Sequence, residues 1–216
     1  MPKPGRLYTI LFVISFVFVV YAVYVNFIYD PQAAGFLSHK TDLKRPLNVP
    51  VWLKIMNVHV VFACIAMLSG LINFSNRIIA KHRKFHRING YLYLVSVIMV
   101  DLTSGFMAPY STGGKLNSIA FNMLNIVWLL MTVTAIVQIR KKQVVKHRKW
   151  MIRSYAFCFT NMCIHLITAF LHDGFGIAYS TSYTIGVYGT IVLLPIAAEV
   201  VIRTVFRKPP LIAVGY

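Results

Sequence analysis

Apolar and polar positions in this chain separate into long blocks. Six apolar runs of roughly 20 residues, about 7–29, 52–75, 91–109, 119–139, 154–173 and 184–203, are divided by short polar or basic stretches. At 1.5 Å rise per residue, such a run crosses a ~30 Å hydrocarbon core as a helix. A lipid-exposed backbone must satisfy its own N–H and C=O groups, which helices do within one segment. A transmembrane β-barrel would show shorter alternating strands, and these runs do not alternate. The pattern predicts an all-α, polytopic integral membrane protein of six transmembrane helices in a single domain, with spans 2–5 as a four-helix core.

Composition agrees. Hydrophobic residues make up 58% and charged residues 12% of the chain, and the mean hydropathy is +0.68, outside the range of soluble domains. The net charge of +17 would suggest a nucleic-acid partner in a soluble protein, but the charge sorts by loop. Seventeen of the 22 Lys and Arg residues fall at one end, from Lys3 and Arg6 through Arg77–Arg87 and Arg140–Arg153 to Arg203, Arg207 and Lys208. Lys40, Lys44, Arg45, Lys54 and Lys115 fall at the other. The positive-inside rule then predicts cytoplasmic termini in a bacterial inner membrane. Anionic lipid headgroups suffice as partners of the basic loops, without nucleic acid.

Lys3 and Arg6 precede the first span as in a signal peptide, but its apolar run is too long and ends in Val25-Asn26-Phe27-Ile28-Tyr29 without a cleavage site, which predicts a retained helix. Cys64, Cys158 and Cys163 all lie within spans; their odd number and depth argue for packing rather than disulfides. The proline-containing loop 30–51 predicts an irregular segment lying across the outer face.

Ionisable groups at membrane depth are costly and point to function. At 100° per residue, Ser154, Cys158, Asn161, His165, Thr168 and His172 form a narrow polar stripe on span 5. On span 2, His59, Ala63, Ala66, Gly70 and Asn73 form a face of small residues below a histidine, suited to close helix packing or to a flat ligand. His59, Asp101, Asn125 and His165 each lie seven or eight residues in from the outer end of their span, roughly 10–12 Å deep. With these faces inward, the four form one cluster. It can ligate haem iron through two imidazoles, bind a divalent metal through two histidines and a carboxylate, relay protons or take a quinone, or simply hold the bundle together by hydrogen bonds.

At the basic end, His82 and His86 are four residues apart, a metal-capable spacing on a helix, and His147 can approach from the next hairpin. Lipid anchoring explains the same residues. His86-Arg87 and His147-Arg148 each precede an outward-returning helix, a weak internal echo of a duplicated hairpin. Glu199 and Arg203 have the spacing of an i, i+4 ion pair.

These residues carry a resemblance. His59, Gly70, the run His86-Arg87-Ile88-Asn89-Gly90-Tyr91-Leu92-Tyr93, Ser104-Gly105, Trp128, and His147-Arg148-Lys149-Trp150-Met151-Ile152-Arg153-Ser154-Tyr155 resemble the bacterial predicted-membrane-protein family called domain of unknown function 2306. The resemblance covers spans 2–5 and implies a four-helix membrane core with histidines near both faces; it implies no activity. The architecture is more loosely similar to membrane cytochromes of the b561 kind and to small proteins that help mature haem-copper oxidases. His147 and His165 are eighteen residues apart, roughly 27 Å along a helix, which departs from the ligand spacing of a two-haem bundle and is compatible with a single haem on the outer side.

The leading expectation is a haem b-binding membrane protein that carries electrons, with His59 and His165 as axial ligands and Asp101 and Asn125 orienting them. His86 and His147 then serve a second cofactor or lipid headgroups. A redox partner or quinone follows from this reading. The rival is a non-enzymatic assembly factor or small transporter whose polar layer binds a divalent metal, relays protons or binds no cofactor.

Overall fold

The computed structural model describes residues 4–205 except 41, 42 and 44; Lys3, Lys44, Arg207 and Lys208, invoked above, lie outside them. The described chain is helical and contains no strand. Helix α1 (Pro4–Tyr24) continues as a π-helical turn, Val25–Tyr29; α2 (Ala34–Ser38) is a short loop helix; α3 (Val49–Asn73) and α5 (Arg83–Met107) flank the short α4 (Asn76–Lys81). Then follow α6 (Gly114–Arg140), α7 (Val144–Ala156), α8 (Thr160–Phe175) and α9 (Tyr179–Val205). Six helical segments are long and apolar enough to cross a membrane, with α7 and α8 together making one of them.

Short turns at 74–82 and 141–143 close one end of the bundle and carry the dense Lys and Arg positions; this is the basic end. The 30–48 loop, the turn at 111–113 and the α8–α9 connection close the other, the loop end. The basic motifs belong to helices rather than to loops. Spans 3 and 5 begin at Arg83 and Val144 instead of near 91 and 154, so His86 and His147 are each the fourth residue of a helix. Hydropathy marks where lipid begins; capping marks where the helix begins, and the two differ because Lys and Arg are good helix formers.

The core of the basic half is built on close approach. α3 packs along α5, α6 along α7, and α8 along α9. Lipid tails are as apolar as leucine, so such contacts rest on packing and interhelical hydrogen bonds rather than on hydrophobic expulsion from water. Gly70 carries the closest approach: a Cβ there would lie 2.6 Å from Tyr155 Cε2 and 3.1 Å from Tyr93 Cε2. The Tyr155 ring is fixed in turn by Phe74 and Phe159, at centroid distances of 5.1 and 5.6 Å. Its hydroxyl donates to Met67 O at 3.1 Å and therefore accepts from Ser15 Oγ at 3.1 Å, which pins the otherwise lipid-facing α1. Between α3 and α5, Asn89 Nδ2 donates to Asn73 Oδ1 (2.9 Å) and Ser69 O (2.7 Å).

Span 5 is not one continuous α-helix. A 3₁₀ turn, Phe157–Phe159, separates α7 from α8. With three residues per turn instead of 3.6, it changes the helical phase halfway across. The expected single polar stripe is thereby split. Ser154 is fully buried in the core, Cys158, Asn161 and His165 face a cavity, and Thr168 lies against α9 with its hydroxyl on Ile164 O at 2.7 Å. His172 Nδ1–H donates to Ile177 O at 2.7 Å and closes the end of α8.

Candidate ligand cavity in the loop-end half

Where the basic half packs, the loop-end half opens. α3 and α8 make little direct contact, and between them, flanked by the outer part of α1 and its π turn, lies a cavity of about 420 Å³. That is within the usual size of small-molecule sites. Phe18, Met56, Val60, Phe121 and Tyr183 give it apolar walls. The small face of span 2 divides: Gly70 and Asn73 pack against neighbouring helices, while His59 and Ala63 line the cavity.

His59 and His165 both line this cavity. Thr103 Oγ1 donates its only hydrogen to backbone carbonyls of its own helix, Met99 O at 2.7 Å and Val100 O at 2.9 Å. It can therefore only accept from His59, whose Nδ1 lies 3.0 Å away. That assigns the proton of His59 to Nδ1 and leaves the Nε2 lone pair free. A hydrogen-bond partner that fixes the tautomer through the other ring nitrogen is the usual preparation of a histidine ligand.

Asp101 and Asn125 are not among the residues that line the cavity, which corrects the expected four-residue cluster. Equal depth does not mean equal direction. Thr103 is the α5 residue that meets His59, and Asp101, two residues earlier, is about 200° away around the helix. Both Asp101 carboxyl oxygens and Asn125 Nδ2 are buried without a hydrogen-bond partner. A metal triad of His59, His165 and Asp101 is therefore not assembled, and no group of three or more His, Cys, Asp or Glu side chains placed to hold a metal ion occurs among the described residues.

Residues 30–40 cover the cavity. They are ordered around α2 rather than irregular: Asp30 accepts Ala34 N–H and Gly35 N–H on its two oxygens, at 2.8 and 2.9 Å. Phe36 stacks on Trp52, only 2% exposed, at 5.9 Å between centroids. His39 stacks on Tyr179 at 3.6 Å. Lys40 Nζ lies 4.6 Å from the Phe36 ring centroid and 5.4 Å from that of Trp52, and donates to Tyr110 O. Burial pushes the Lys40 ammonium down to about 8. Sequence reasoning gave Lys40 and Thr103 no role, because a lone loop lysine and a helical threonine have no motif; only tertiary contacts select them.

Below the cavity runs a directed chain of hydrogen bonds. Thr132 Oγ1 donates to Trp128 O at 2.8 Å, so Ser154 donates to Thr132 at 2.7 Å, and Tyr93 donates to Ser154 at 2.7 Å. Cys158 Sγ, on the cavity wall, lies 4.0 Å from the Tyr93 hydroxyl. The chain ends on a carbonyl that has no proton to pass on, so this set of hydroxyls clamps α5, α6 and α7 rather than relaying protons along itself. The three cysteines are free thiols, and Cys64 and Cys158 line the cavity rather than only packing.

At the basic end, His147 Nδ1–H donates to Ala135 O at 2.8 Å, while His86 Nδ1 is buried without a partner. His82 is the junction between α4 and α5, with a backbone that is neither helical nor extended, so the two histidines do not sit at i, i+4 within one helix. Glu199 pairs with Arg153 Nε at 2.6 Å, across α7 and α9, instead of with Arg203.

The sequence model of a family described as predicted membrane protein (DUF2306) matches residues 56–202. The match spans α5 to α8 and most of α3 and α9, and it begins after α1 and the loop that covers the cavity. No curated protein and no solved structure matches the chain.

Proposed function

The chain belongs to the DUF2306 family of predicted membrane proteins, and we propose that this multi-pass protein binds a flat, membrane-soluble redox cofactor in its loop-end cavity, haem b foremost. One observation carries the proposal: two imidazoles on different helices face one apolar cavity, and the first has its Nδ1 proton committed to Thr103. His59 and His165 would hold the iron, and Thr103, in place of Asp101, would orient His59. Haem bound in this way supplies one-electron chemistry. The chain's own part is to keep both imidazoles neutral and oriented, to exclude bulk water with apolar walls, and to hold the cover of α2 and Trp52 in place. The concentration of Lys and Arg at the basic end supports a bacterial inner-membrane protein with that end in the cytoplasm.

Visible absorption of the purified protein, oxidised and reduced, after expression with ample haem, tests this. The expected result is a Soret band that His59→Ala or His165→Ala abolishes or shifts. A protein without the band sinks the haem reading. A second reading, quinone binding, is supported by the exposure of Asn161 and His165 on the cavity wall, which leaves the site open to a molecule dissolved in the bilayer. Solvent extraction of the purified protein, with His165→Ala as control, would detect bound quinone.

A further inference from the structure

Lys40 has a position that its structural contacts do not exhaust. It lines the same cavity as His59 and His165, at the loop end. Its ammonium has three donors. One reaches Tyr110 O, and the faces of Phe36 and Trp52 take up part of the charge. Neither a carbonyl nor a ring cancels a positive charge. Among the described residues the ion pair is Arg153–Glu199, at the far end of the molecule, and none involves Lys40. Asp30 also lines the cavity; its two oxygens accept the backbone N–H groups of Ala34 and Gly35, and it makes no ion pair with Lys40. The site thus combines apolar walls, two imidazoles and, at the mouth, a desolvated cation with unused donors. A cation in such surroundings is stabilised most by an anion brought to it, through a charge-assisted hydrogen bond.

We infer that Lys40 recognises an anionic head group on the cavity's ligand, so that the site selects acidic amphiphiles over neutral ones with the same apolar body. The inference rests on the reading of the cavity as a ligand site and adds the chemical class of ligand that it takes. The carboxylates of haem b meet the requirement, as does the head of a free fatty acid or the phosphate of an anionic lipid; the shared chemistry is a carboxylate or phosphate at the end of an apolar body.

Bromine quenches tryptophan fluorescence on contact, and Trp52 lies on the cavity wall. The full-length protein in zwitterionic nanodiscs is titrated with 9,10-dibromostearate and its methyl ester, and with dibrominated phosphatidic acid and phosphatidylcholine. Trp52→Phe identifies the Trp52 signal. The expected result is half-quenching by at least one anionic probe at about tenfold lower mole fraction than by its neutral partner. Preference in the fatty-acid pair alone points to a free carboxylate, and in the lipid pair alone to a lipid phosphate; either supports the inference. Lys40→Gln should erase the preference while neutral probes still quench, and Lys40→Arg should keep it.

Quenching without preference in the native protein, or a preference that survives in Lys40→Gln, overturns the inference and leaves the ligand site standing. Equal weakening of anionic and neutral probes by Lys40→Gln reduces Lys40 to a clamp on the covering loop and also overturns it. Absence of Trp52 quenching by every probe, together with absence of bound haem and quinone, overturns the ligand-site reading itself.

Discussion

The two halves of this bundle use the same residue types to opposite ends. In the basic half, Tyr93, Ser154, Thr132, Tyr155 and Ser15 spend their hydroxyls on one another or on backbone carbonyls, and Gly70 brings the helices close enough for that to happen. In the loop-end half, His165, Lys40 and the Nε2 of His59 face a cavity, and the helices that carry the two histidines stand apart. Polar groups in a membrane are retained for packing when they find partners inside the chain, and for binding when they do not. The comparison separates stability from function along the membrane normal, and it can be broken residue by residue.

Gly70 should give the largest effect on stability. A methyl group there overlaps the Tyr155 ring, and that ring cannot swing away without losing Ser15, Met67 O and the edges of Phe74 and Phe159. Gly70→Ala should cost about 1–3 kcal/mol of overpacking, read as a lower unfolding temperature in detergent, and Gly70→Leu should prevent folding. A tolerated leucine would show that the basic half is not tightly packed and would remove one side of the comparison. Tyr93→Phe comes next. It deletes the hydroxyl that joins α5 to Ser154 of α7, and interhelical hydrogen bonds in membranes average about 0.6 kcal/mol with a maximum near 1.7. A loss of about 1 kcal/mol is expected, with ligand binding in the cavity unchanged.

How much of this division was legible in the sequence varies with the physics involved. Six spans follow from run length alone, because lipid imposes a minimum length on a helix. The packing role of Gly70 was visible in the small-residue face of span 2. The assignment of Ser154 was not, since it shares one stripe with His165, and only tertiary contacts show that Ser154 meets Tyr93 and Thr132 while His165 meets the cavity. Depth grouped Asp101 and Asn125 with the histidines because counting residues measures position along the membrane normal and says little about azimuth. The same count missed Thr103, whose value lies in facing His59. Lys40 was beyond reach, because a covering loop has no periodicity to read.

His165→Ala should move stability less than Gly70→Ala or Tyr93→Phe. The side chain lines the cavity and makes no hydrogen bond within the described residues, so truncation should shift the unfolding free energy by less than about 0.5 kcal/mol while abolishing or shifting any haem spectrum. A large loss of stability with no effect on ligand would instead make His165 part of the packed half, and the boundary between the halves would have to move towards the loop end.

The last effect is a slope with pH. Burial under the covering loop pushes the Lys40 ammonium from its ordinary 10.5 down to about 8 in the folded chain. Below pH 8 it is protonated folded or unfolded, and its burial is a standing cost. Between about 8 and 10.5 the unfolded chain holds a proton that the folded chain has released, so stability should rise with pH across that window. Other lysines and tyrosines also titrate there, but most are shared between variants. The difference in unfolding temperature between native protein and Lys40→Met should therefore change gradually from pH 8 to pH 10, in favour of the native chain, and stay flat from pH 6 to 7.5. An anionic ligand at the cavity mouth should hold the proton on Lys40 and move the window upward. A difference that is flat throughout would mean that water reaches the ammonium freely, and the loop-end half would then be open at its mouth as well as in its interior.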